Sequence, residues 1–305
     1  MAKYILFLLG IHTLGWLPLR AGYALAWLIG QVGYLVSSGS RRNVIDNLTH
    51  AMGPDASPSA VRAAARSVFV NVARYYVDLV RMPRMDVQDF YDQRFGYQGF
   101  DEYVLPAVAA GRGVIILSLH LGNPELSVQG MLPRGVSVFA LTEPLEPERL
   151  HRLVDSLRAS KGHAFAPVGY GGVKQAVRTL RKGGVVCLMG DRDIKGPKAR
   201  LPFFGEETLV PTGPIEMAMR SGATLILSYS FRSGADRLDA ILDPPMELER
   251  TGDRERDVLV NTRRFLAWAE DKIRRHPDQW VVLESIWDQP QPSKGKPAVA
   301  MAEKS

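Results

Sequence analysis

The chain has 305 residues, of which 46% are hydrophobic and 23% are charged, enough to bury one large core or two small ones. Its formal net charge of +6 at pH 7 suits nucleic acid, anionic lipid headgroups or an acidic carrier partner. No RNP, zinc-finger or helix-turn-helix pattern occurs and most basic residues are interspersed with acidic ones, which argues against nucleic acid. The single cysteine, Cys187, excludes an internal disulfide framework and is expected to be a reduced core residue.

The chain begins with an apolar arm at residues 4–36, in which Arg20 is the only full charge. Pro18 helps to divide this arm into two apolar pieces, each shorter than the roughly 20 residues that cross a bilayer comfortably. Its tryptophans and tyrosines, together with flanking cations, favour a helical hairpin that lies in or dips into a membrane interface. A cleaved signal peptide and a purely soluble core role are the alternatives.

Further elements follow in chain order. A polar segment at residues 37–59 leads to a helix that begins at Ser57-Pro58 and ends near Arg81. From residue 101 onward, helical patterns alternate with apolar strand patterns. The predicted helices are residues 101–110, 124–132, 147–161, 172–182, 213–220 and 254–275. The predicted strands are residues 114–119, 136–141, 164–168, 185–189, 224–231 and 238–242, with a long loop from 190 to 211.

This alternation predicts an α/β fold with a mainly parallel central sheet flanked by helices on both sides. The last strand, at residues 238–242, is predicted to pair as a hairpin with the strand before it. Residues 290–305 are polar and proline-containing, and are predicted to be disordered.

The most informative segment ends an apolar run on His120 and places Glu125 five positions later. On a regular strand or helix this spacing keeps the two side chains apart, so they can meet only if the chain bends between them. Gly122 gives freedom at the bend, Asn123 is a good N-cap, and Pro124 suits the first helical position. His120 then lies at the carboxyl end of a strand, where α/β sheets bind ligands. The pair suits a general base with its orienting partner, and a hydrogen-bonded structural histidine is the alternative.

A second cluster, Gly190-Asp191-Arg192-Asp193, follows another apolar strand and is therefore expected at the same edge of the sheet. It either forms an ion-pair turn at the surface or binds a ligand. A metal site built from His120, Glu125, Asp191 and Asp193 is a further alternative, although no second histidine is suitably spaced.

Three further residues are candidates for substrate contact. Glu143 lies in the turn that ends the strand at 136–141, while Phe203 and Phe204 are adjacent aromatic residues in the predicted loop. The two aromatic residues either line a groove for an acyl chain or plug the domain. The sequence contains no nucleophile elbow, Walker loop or dinucleotide fingerprint, which disfavours acyl-enzyme chemistry. His120 is thus left as a base that activates a substrate hydroxyl.

Taken together, these residues resemble the bacterial lipid A biosynthesis acyltransferase family, including the phosphatidylinositol mannoside acyltransferases. The resemblance covers nearly the whole chain and extends to the related glycerolipid acyltransferases. Further motifs that carry it are Arg42-Asn43-Val44, Asn47-Leu48, Leu141-Thr142-Glu143, Pro202-Phe203-Phe204-Gly205, Pro211-Thr212-Gly213-Pro214 and His276-Pro277-Asp278-Gln279-Trp280.

The resemblance implies a membrane-associated O-acyltransferase with a glycerolipid-acyltransferase-like fold, on the cytoplasmic face of the plasma membrane. Such an enzyme moves a fatty acyl chain from acyl carrier protein or coenzyme A to a glycolipid hydroxyl, without a covalent intermediate, bound cofactor or metal. The resemblance also implies an apolar arm at 1–36, an acyltransferase domain at 37–289 and a disordered tail at 290–305.

Roles for individual residues follow from the same resemblance. His120 would remove the proton of the acceptor hydroxyl, and Glu125 would hold the imidazole. Arg192 and backbone N–H groups near Gly122 would stabilise the oxyanion. Residues expected to orient sugar hydroxyls or the base, or to contact substrate, are Glu143, Asp191, Asp193, Phe203 and Phe204.

Two departures from the family pattern leave the acceptor open. Pro124 stands where the lipid A enzymes usually have an aromatic residue, and Glu125 replaces the aspartate typical of the mannoside enzymes. The length of the acyl chain and the identity of the acyl donor are open as well. The alternative functions are a non-catalytic lipid-binding protein of the same fold and a metal-dependent ester hydrolase.

Overall fold

The computed structural model describes residues 2–192 and 196–287, without the side chains of residues 2–4 and 6. Asp193 and the tail predicted at 290–305 therefore lie outside the described residues. The strands are β1 Phe95–Gln98, β2 Val114–Ser118, β3 Val138–Thr142, β4 Ala164–Pro167, β5 Val185–Met189, β6 Lys198–Phe203, β7 Glu206–Pro211, β8 Thr224–Arg232 and β9 Leu238–Leu242. The helices are α1 Ala2–Thr13, α2 Leu19–Val36, α3 Ser38–Met52, α4 Pro58–Arg81, α5 Val87–Arg94, α6 Leu105–Ala109, α7 Pro124–Gln129, α8 Glu148–Arg158, α9 Tyr170–Arg181, α10 Gly213–Ser221 and α11 Arg254–Arg275.

The described residues form a central sheet of seven strands in the order β1-β9-β8-β2-β5-β3-β4. Strands β8, β2, β5, β3 and β4 run parallel to one another. Strand β9 pairs antiparallel with β8, as predicted, and β1 adds to it in parallel. The prediction of a mainly parallel sheet is confirmed. Because β2 and β5 are neighbours, the residues that follow them emerge side by side at one edge.

Helices cover both faces of this sheet, and the alternation of side chains along β2 divides the core between them. Ile115 and Leu117 belong to one buried cluster, which includes residues of α9, α10 and α11. Ile116 belongs to a second cluster with Val104 and Ala107, at and near α6. The prediction of flanking helices is therefore confirmed, with strands that are apolar on both faces, as buried parallel strands require.

The apolar arm consists of helices α1 and α2, and α2 packs closely along α4. Gly30 makes this approach possible, because a Cβ atom there would lie 2.5 Å from the Cα atom of Val70. The opposite side of α2 leaves large apolar side chains exposed, and these are Leu25, Trp27, Leu28, Ile29, Val32, Leu35 and Val36. Among the described residues, no helix combines the length and the apolar character needed to span a bilayer. Membrane association of the arm and its boundary at residue 36 stay predictions.

The segments at residues 37–59 and 190–211 differ from the sequence-based expectation. The polar segment 37–59 contains helix α3, which is held by tertiary contacts because Asn47 donates to the carbonyl oxygen of Glu284 and accepts from Ile286 N–H. The long loop predicted from 190 to 211 contains the hairpin β6–β7, whose two turn residues are Phe204 and Gly205. Both have positive φ, +52° and +85°, as a tight hairpin turn requires.

Candidate active site

The turn after β2 has the predicted bend. Gly122 has φ +65°, and a Cβ atom at this position would lie 2.5 Å from the carbonyl oxygen of Ser230. Asn123 then caps α7, since its Oδ1 accepts from Leu126 N–H at 3.0 Å, and Pro124 is the first helical residue. This geometry confirms the sequence of strand, turn and helix, and it leaves His120 at the carboxyl end of β2.

His120 is bonded to a carboxylate from the neighbouring strand. Its Nδ1 lies 2.8 Å from Oδ1 of Asp191, and its backbone N–H donates to Oδ2 of the same side chain at 3.0 Å. Trp280 donates its indole N–H to Oδ2 at 2.8 Å. Because Asp191 follows β5, the adjacency of β2 and β5 creates this dyad.

The environment of Asp191 favours its ionised form. Burial alone raises the pKa of this carboxyl, but the charge of His120 and the hydrogen bonds from His120 and Trp280 outweigh burial and lower the pKa. An ionised Asp191 accepts from Nδ1–H, and in that tautomer Nε2 carries the free lone pair. Within the described residues Nε2 makes no hydrogen bond, and the His120 side chain is 22% exposed. The dyad therefore presents an accessible base.

The expected contact between Glu125 and the His120 imidazole is corrected by the structure. Glu125 pairs with Arg158 of α8 at 2.5 Å, and both side chains are largely buried. Tyr75 lies beside them, and its pKa is raised by burial and by the Glu125 charge. The physical reason is that α7 turns Glu125 toward α4 and α8, where a buried guanidinium needs a counter-charge. Asp191 takes the orienting position that was expected for Glu125.

Glu143 and Arg192 meet at this edge of the sheet, as the strand ends predict. Arg192 forms an ion pair with Glu143 and a second one with Glu284 at 3.0 Å. Tyr76 of α4 is close enough to feel the charges of Arg192 and Glu284, and also those of Glu125 and its partner. The histidine is thus accompanied by a polar region of alternating carboxylates and guanidinium groups.

The C-terminal segment, at residues 276–287, is hydrogen-bonded to the histidine turn, at residues 119–123. Gly122 N–H donates to the carbonyl oxygen of Gln279 at 2.9 Å, and Val281 N–H donates to that of His120 at 2.8 Å. The Gly122 N–H itself is therefore already used, and the prediction that backbone N–H groups near Gly122 stabilise an oxyanion stays a prediction for the other groups of this turn. Arg192 keeps that potential, because its Nε is buried and lacks a hydrogen-bond partner among the residues described.

The aromatic pair, Phe203 and Phe204, packs mainly within the protein and forms little of its exposed surface. Phe203 is fully buried and packs edge-on against Trp280 at 6.1 Å between ring centroids. Phe204 is half-buried beneath Arg274, whose guanidinium carbon lies 4.9 Å from the ring centroid. For Phe203 the structure favours the plug over the acyl groove, because the hairpin turns it inward beside the tryptophan that holds Asp191.

A buried polar network lies behind the histidine turn. Asp78 of α4 accepts from Tyr23 O–H at 2.7 Å and from Asn123 Nδ2 at 2.8 Å, and it forms an ion pair with Arg232. Burial alone lowers the pKa of Arg232, but the charges of Asp78 and Tyr23 and the hydrogen bonds to both side chains together outweigh burial and raise the pKa. Since Asn123 caps α7, this network connects α2, α4 and β8 to the segment that carries His120.

The possible metal site gains no support from its described ligands. Across 2–192 and 196–287, no three His, Cys, Asp or Glu side chains are grouped closely enough to hold a metal ion. His120 and Asp191 bond to each other, and Glu125 is held by Arg158. The fourth predicted ligand, Asp193, lies outside the described residues.

Several residues of this site were not predicted as such. Trp280 lies in a motif that supported the resemblance, but its indole contact with Asp191 depends on the path of the C-terminal segment. Arg158 and Glu284 are ordinary charged residues in sequence, and only the packing of α8 and the C-terminal segment brings them here. Asp78 offered one signal, since it is a carboxylate within the apolar pattern of α4.

Comparison with known families decides between the classes that this geometry permits. Over residues 1–289, the sequence matches the family model described as bacterial lipid A biosynthesis acyltransferase. The chain belongs to this family. The resemblance noted from the motifs is thereby confirmed.

Two relatives of this lipid A acyltransferase family member are phosphatidylinositol mannoside acyltransferases. The protein from Mycobacterium tuberculosis (strain CDC 1551 / Oshkosh) is 26% identical over 260 residues, which covers 83% of this chain and 79% of the relative. The protein from Mycolicibacterium smegmatis (strain ATCC 700084 / mc(2)155) is 27% identical over 290 residues, 90% of each chain. The family member described here is an acyltransferase, and its reaction requires an acyl donor and a lipid or glycolipid acceptor.

Proposed function

We propose that this protein is a membrane-surface O-acyltransferase that transfers a fatty acyl chain from an acyl thioester to a hydroxyl of a glycolipid. The acceptor would be a mannosylated phosphoinositide, as in the names of the relatives, or a lipid A precursor. The observation that carries the proposal is the His120–Asp191 dyad, in which Nε2 is unbonded within the described residues and the His120 side chain is partly exposed. No bound cofactor takes part, and the thioester of acyl carrier protein or coenzyme A is a co-substrate.

In the proposed reaction, Nε2 of His120 removes the proton of the acceptor hydroxyl as the hydroxyl oxygen attacks the thioester carbonyl. The new C–O bond forms, the C–S bond breaks, and the thiolate leaves with the electron pair. The imidazolium then returns its proton to the thiolate or to water. A thiol has a pKa of about 8.5, so the leaving group needs little acid assistance and one base suffices. Asp191 stabilises the imidazolium.

The polar region beside the dyad suits a hydroxyl-rich acceptor. Glu143 and Glu284 both contact Arg192 and keep partly exposed carboxylate side chains, which can accept hydrogen bonds from sugar hydroxyls. The buried Nε of Arg192 is a candidate donor to the oxyanion of the tetrahedral intermediate. The ion pair of Glu125 and Arg158 would act as a positioning pair that holds the polar region beside the dyad in place.

Purified protein incubated with a palmitoyl thioester and a glycolipid tests the function directly. Mass spectrometry is expected to show acceptor that is heavier by one acyl chain, with one free thiol released per transfer. In cells, removal of the protein is expected to leave a glycolipid that is lighter by one acyl chain. Ester hydrolysis that needs no thioester and stops with chelator would instead support a metal-dependent hydrolase. Lipid binding without turnover would support the non-catalytic alternative.

We also propose that α2 rests on the cytoplasmic surface of the plasma membrane through its exposed apolar side. Leu28 and Leu35 are 52% and 67% exposed, and burying each in lipid contributes about 1.5–3 kcal/mol. The double variant Leu28→Glu/Leu35→Glu is therefore expected to bind vesicles of phosphatidylethanolamine and phosphatidylglycerol at least roughly tenfold more weakly. Co-sedimentation measures this loss.

A matched control changes two exposed residues elsewhere to glutamate. Tyr170 and Val173 of α9 are 86% and 38% exposed, so Tyr170→Glu/Val173→Glu makes the same kind of change on another helix. This control is expected to sediment like the parent protein. Equal binding by the α2 variant and the parent would disprove the membrane role of this surface.

A further inference from the structure

Helix α9 carries a row of cations on its open side. Lys174, Arg178 and Arg181 follow one another at intervals of four and three residues, so they share one face of the helix. Over seven residues, this row extends about 10 Å along the helix axis. Val177 lies among the three cations, and together these four side chains line a shallow groove of about 270 Å³.

These charges lack counter-charges. Throughout the part of the chain that the structure describes, Lys174, Arg178 and Arg181 form no ion pair or side-chain hydrogen bond, and all three are exposed. The sequence places no carboxylate side chain between Asp155 and Asp191. Other surface cations, such as Arg220 and Arg275, pair with carboxylates of their own helices. A sustained positive face of this kind attracts an acidic partner.

The row begins near the edge of the sheet that carries the dyad. Helix α9 follows β4, whose last residue, Pro167, is in register with Thr142 at the end of β3. Gly172, in the first turn of α9, lies against the carbonyl oxygen of Pro167. Glu143 comes directly after the same β3 strand. A partner on α9 is therefore beside the strand ends from which a thioester must reach His120.

We propose that the outer face of α9, defined by Lys174, Val177, Arg178 and Arg181, docks an acidic carrier protein that presents the acyl thioester on a flexible arm. This inference rests on the proposed function. Small nucleotides bind in concave sites that surround their phosphates with buried donors. The α9 face is open and elongated, and exposed Val173 and Tyr170 adjoin its charges. Such a surface of apolar side chains rimmed by cations fits an acidic protein helix.

The test compares two donors with the full-length protein. In the triple variant Lys174→Glu/Arg178→Glu/Arg181→Glu, the KM for palmitoyl-loaded acyl carrier protein is expected to rise at least roughly tenfold, because attraction becomes repulsion. The kcat is expected to change by less than about twofold, since the dyad is untouched. With palmitoyl-CoA as donor, the KM is expected to change less than about threefold. Rising salt is expected to weaken carrier binding to the parent protein but not to the variant.

A second triple variant controls for net charge. Arg62, Arg112 and Arg263 are exposed and likewise form no ion pair among the described residues. Changing these three to glutamate alters net charge equally but leaves α9 intact. Both KM values are expected to stay within about twofold of the parent values.

Direct binding of unloaded holo-acyl carrier protein separates this proposal from the proposed function. Binding that the α9 variant loses and the control keeps would support docking even if neither donor supported transfer. An equal rise in KM for both donors would overturn the proposal, because it would assign the face to the phosphates of the thiol arm or of coenzyme A. Unchanged binding and unchanged KM for the carrier protein would overturn it as well.

Discussion

Replacement of His120 by alanine is expected to lower the kcat of acyl transfer by roughly 10²–10⁴-fold, because the general base is removed. The side chain is partly exposed and its ring belongs to no buried aromatic contact among the described residues, so folding is expected to be retained. Turnover of a thioester in the presence of glycolipid acceptor measures the loss.

Two carboxylate variants distinguish the dyad from the spacing motif. Asp191→Asn keeps the shape of the side chain but removes the charge that stabilises the imidazolium, and kcat is expected to fall roughly 10²-fold or more. Glu125→Gln keeps a hydrogen-bonding side chain beside Arg158, and a smaller fall is expected because Glu125 supports the region without holding the imidazole. Circular dichroism and thermal unfolding check that all three variants are folded.

The opposite order would contradict this assignment. If Glu125→Gln lost as much activity as His120→Ala while Asp191→Asn turned over like the parent protein, Glu125 would be the working partner of the base. Near-parental turnover by His120→Ala would reject the base itself, and the proposed mechanism with it.

The largest effect on stability is expected at the buried network behind the histidine turn. The side chains of Asp78 and Arg232 are each only 4% exposed. Asp78→Ala leaves the Arg232 charge buried without its counter-charge, and the free energy of unfolding is expected to fall by about 3–5 kcal/mol. Denaturant unfolding, compared at equal m-values, measures this change.

A partly exposed ion pair provides the matched control. Arg237 and Asp239 lie 3.0 Å apart, and their side chains are 50% and 25% exposed. Asp239→Ala is expected to cost no more than about 1 kcal/mol, because water and salt screen this pair. An Asp78→Ala variant as stable as the Asp239→Ala variant would show that the buried pair is not the stabilising contact described here.

Local chemistry explains why the histidine turn could be predicted from sequence. A positive φ at Gly122, a cap from Asn123 and a proline in the first helical position each act within a few residues, so the pattern alone specifies the bend. Helix α11 has the predicted bounds for the same reason, with Asp253 as its N-cap. Elements whose signals are local were predicted well.

The partner of His120 could not be predicted in this way. Closeness in sequence predicts Glu125 as the partner, whereas Asp191 is 71 positions away and reaches the imidazole only because β5 pairs with β2. The sequence placed both strands at one edge but did not reveal their order in the sheet. The burial of Phe203 could not be predicted either, because it depends on the hairpin turn that follows. Positive φ at a non-glycine residue such as Phe204 is uncommon, so the sequence does not indicate this turn.

The hydrogen bond between Tyr23 and Asp78 links helix α2 to the turn that carries His120. Asp78 also holds Asn123, so the helix with the exposed apolar side and the turn with the base are fastened to the same buried carboxylate. An N-terminal helix held in this manner acts as a fixed spacer, not as a loose tether. If α2 rests on lipid as proposed, His120 would stand at a set height above the bilayer, and the enzyme would select among the hydroxyls of one glycolipid by their distance from the membrane surface.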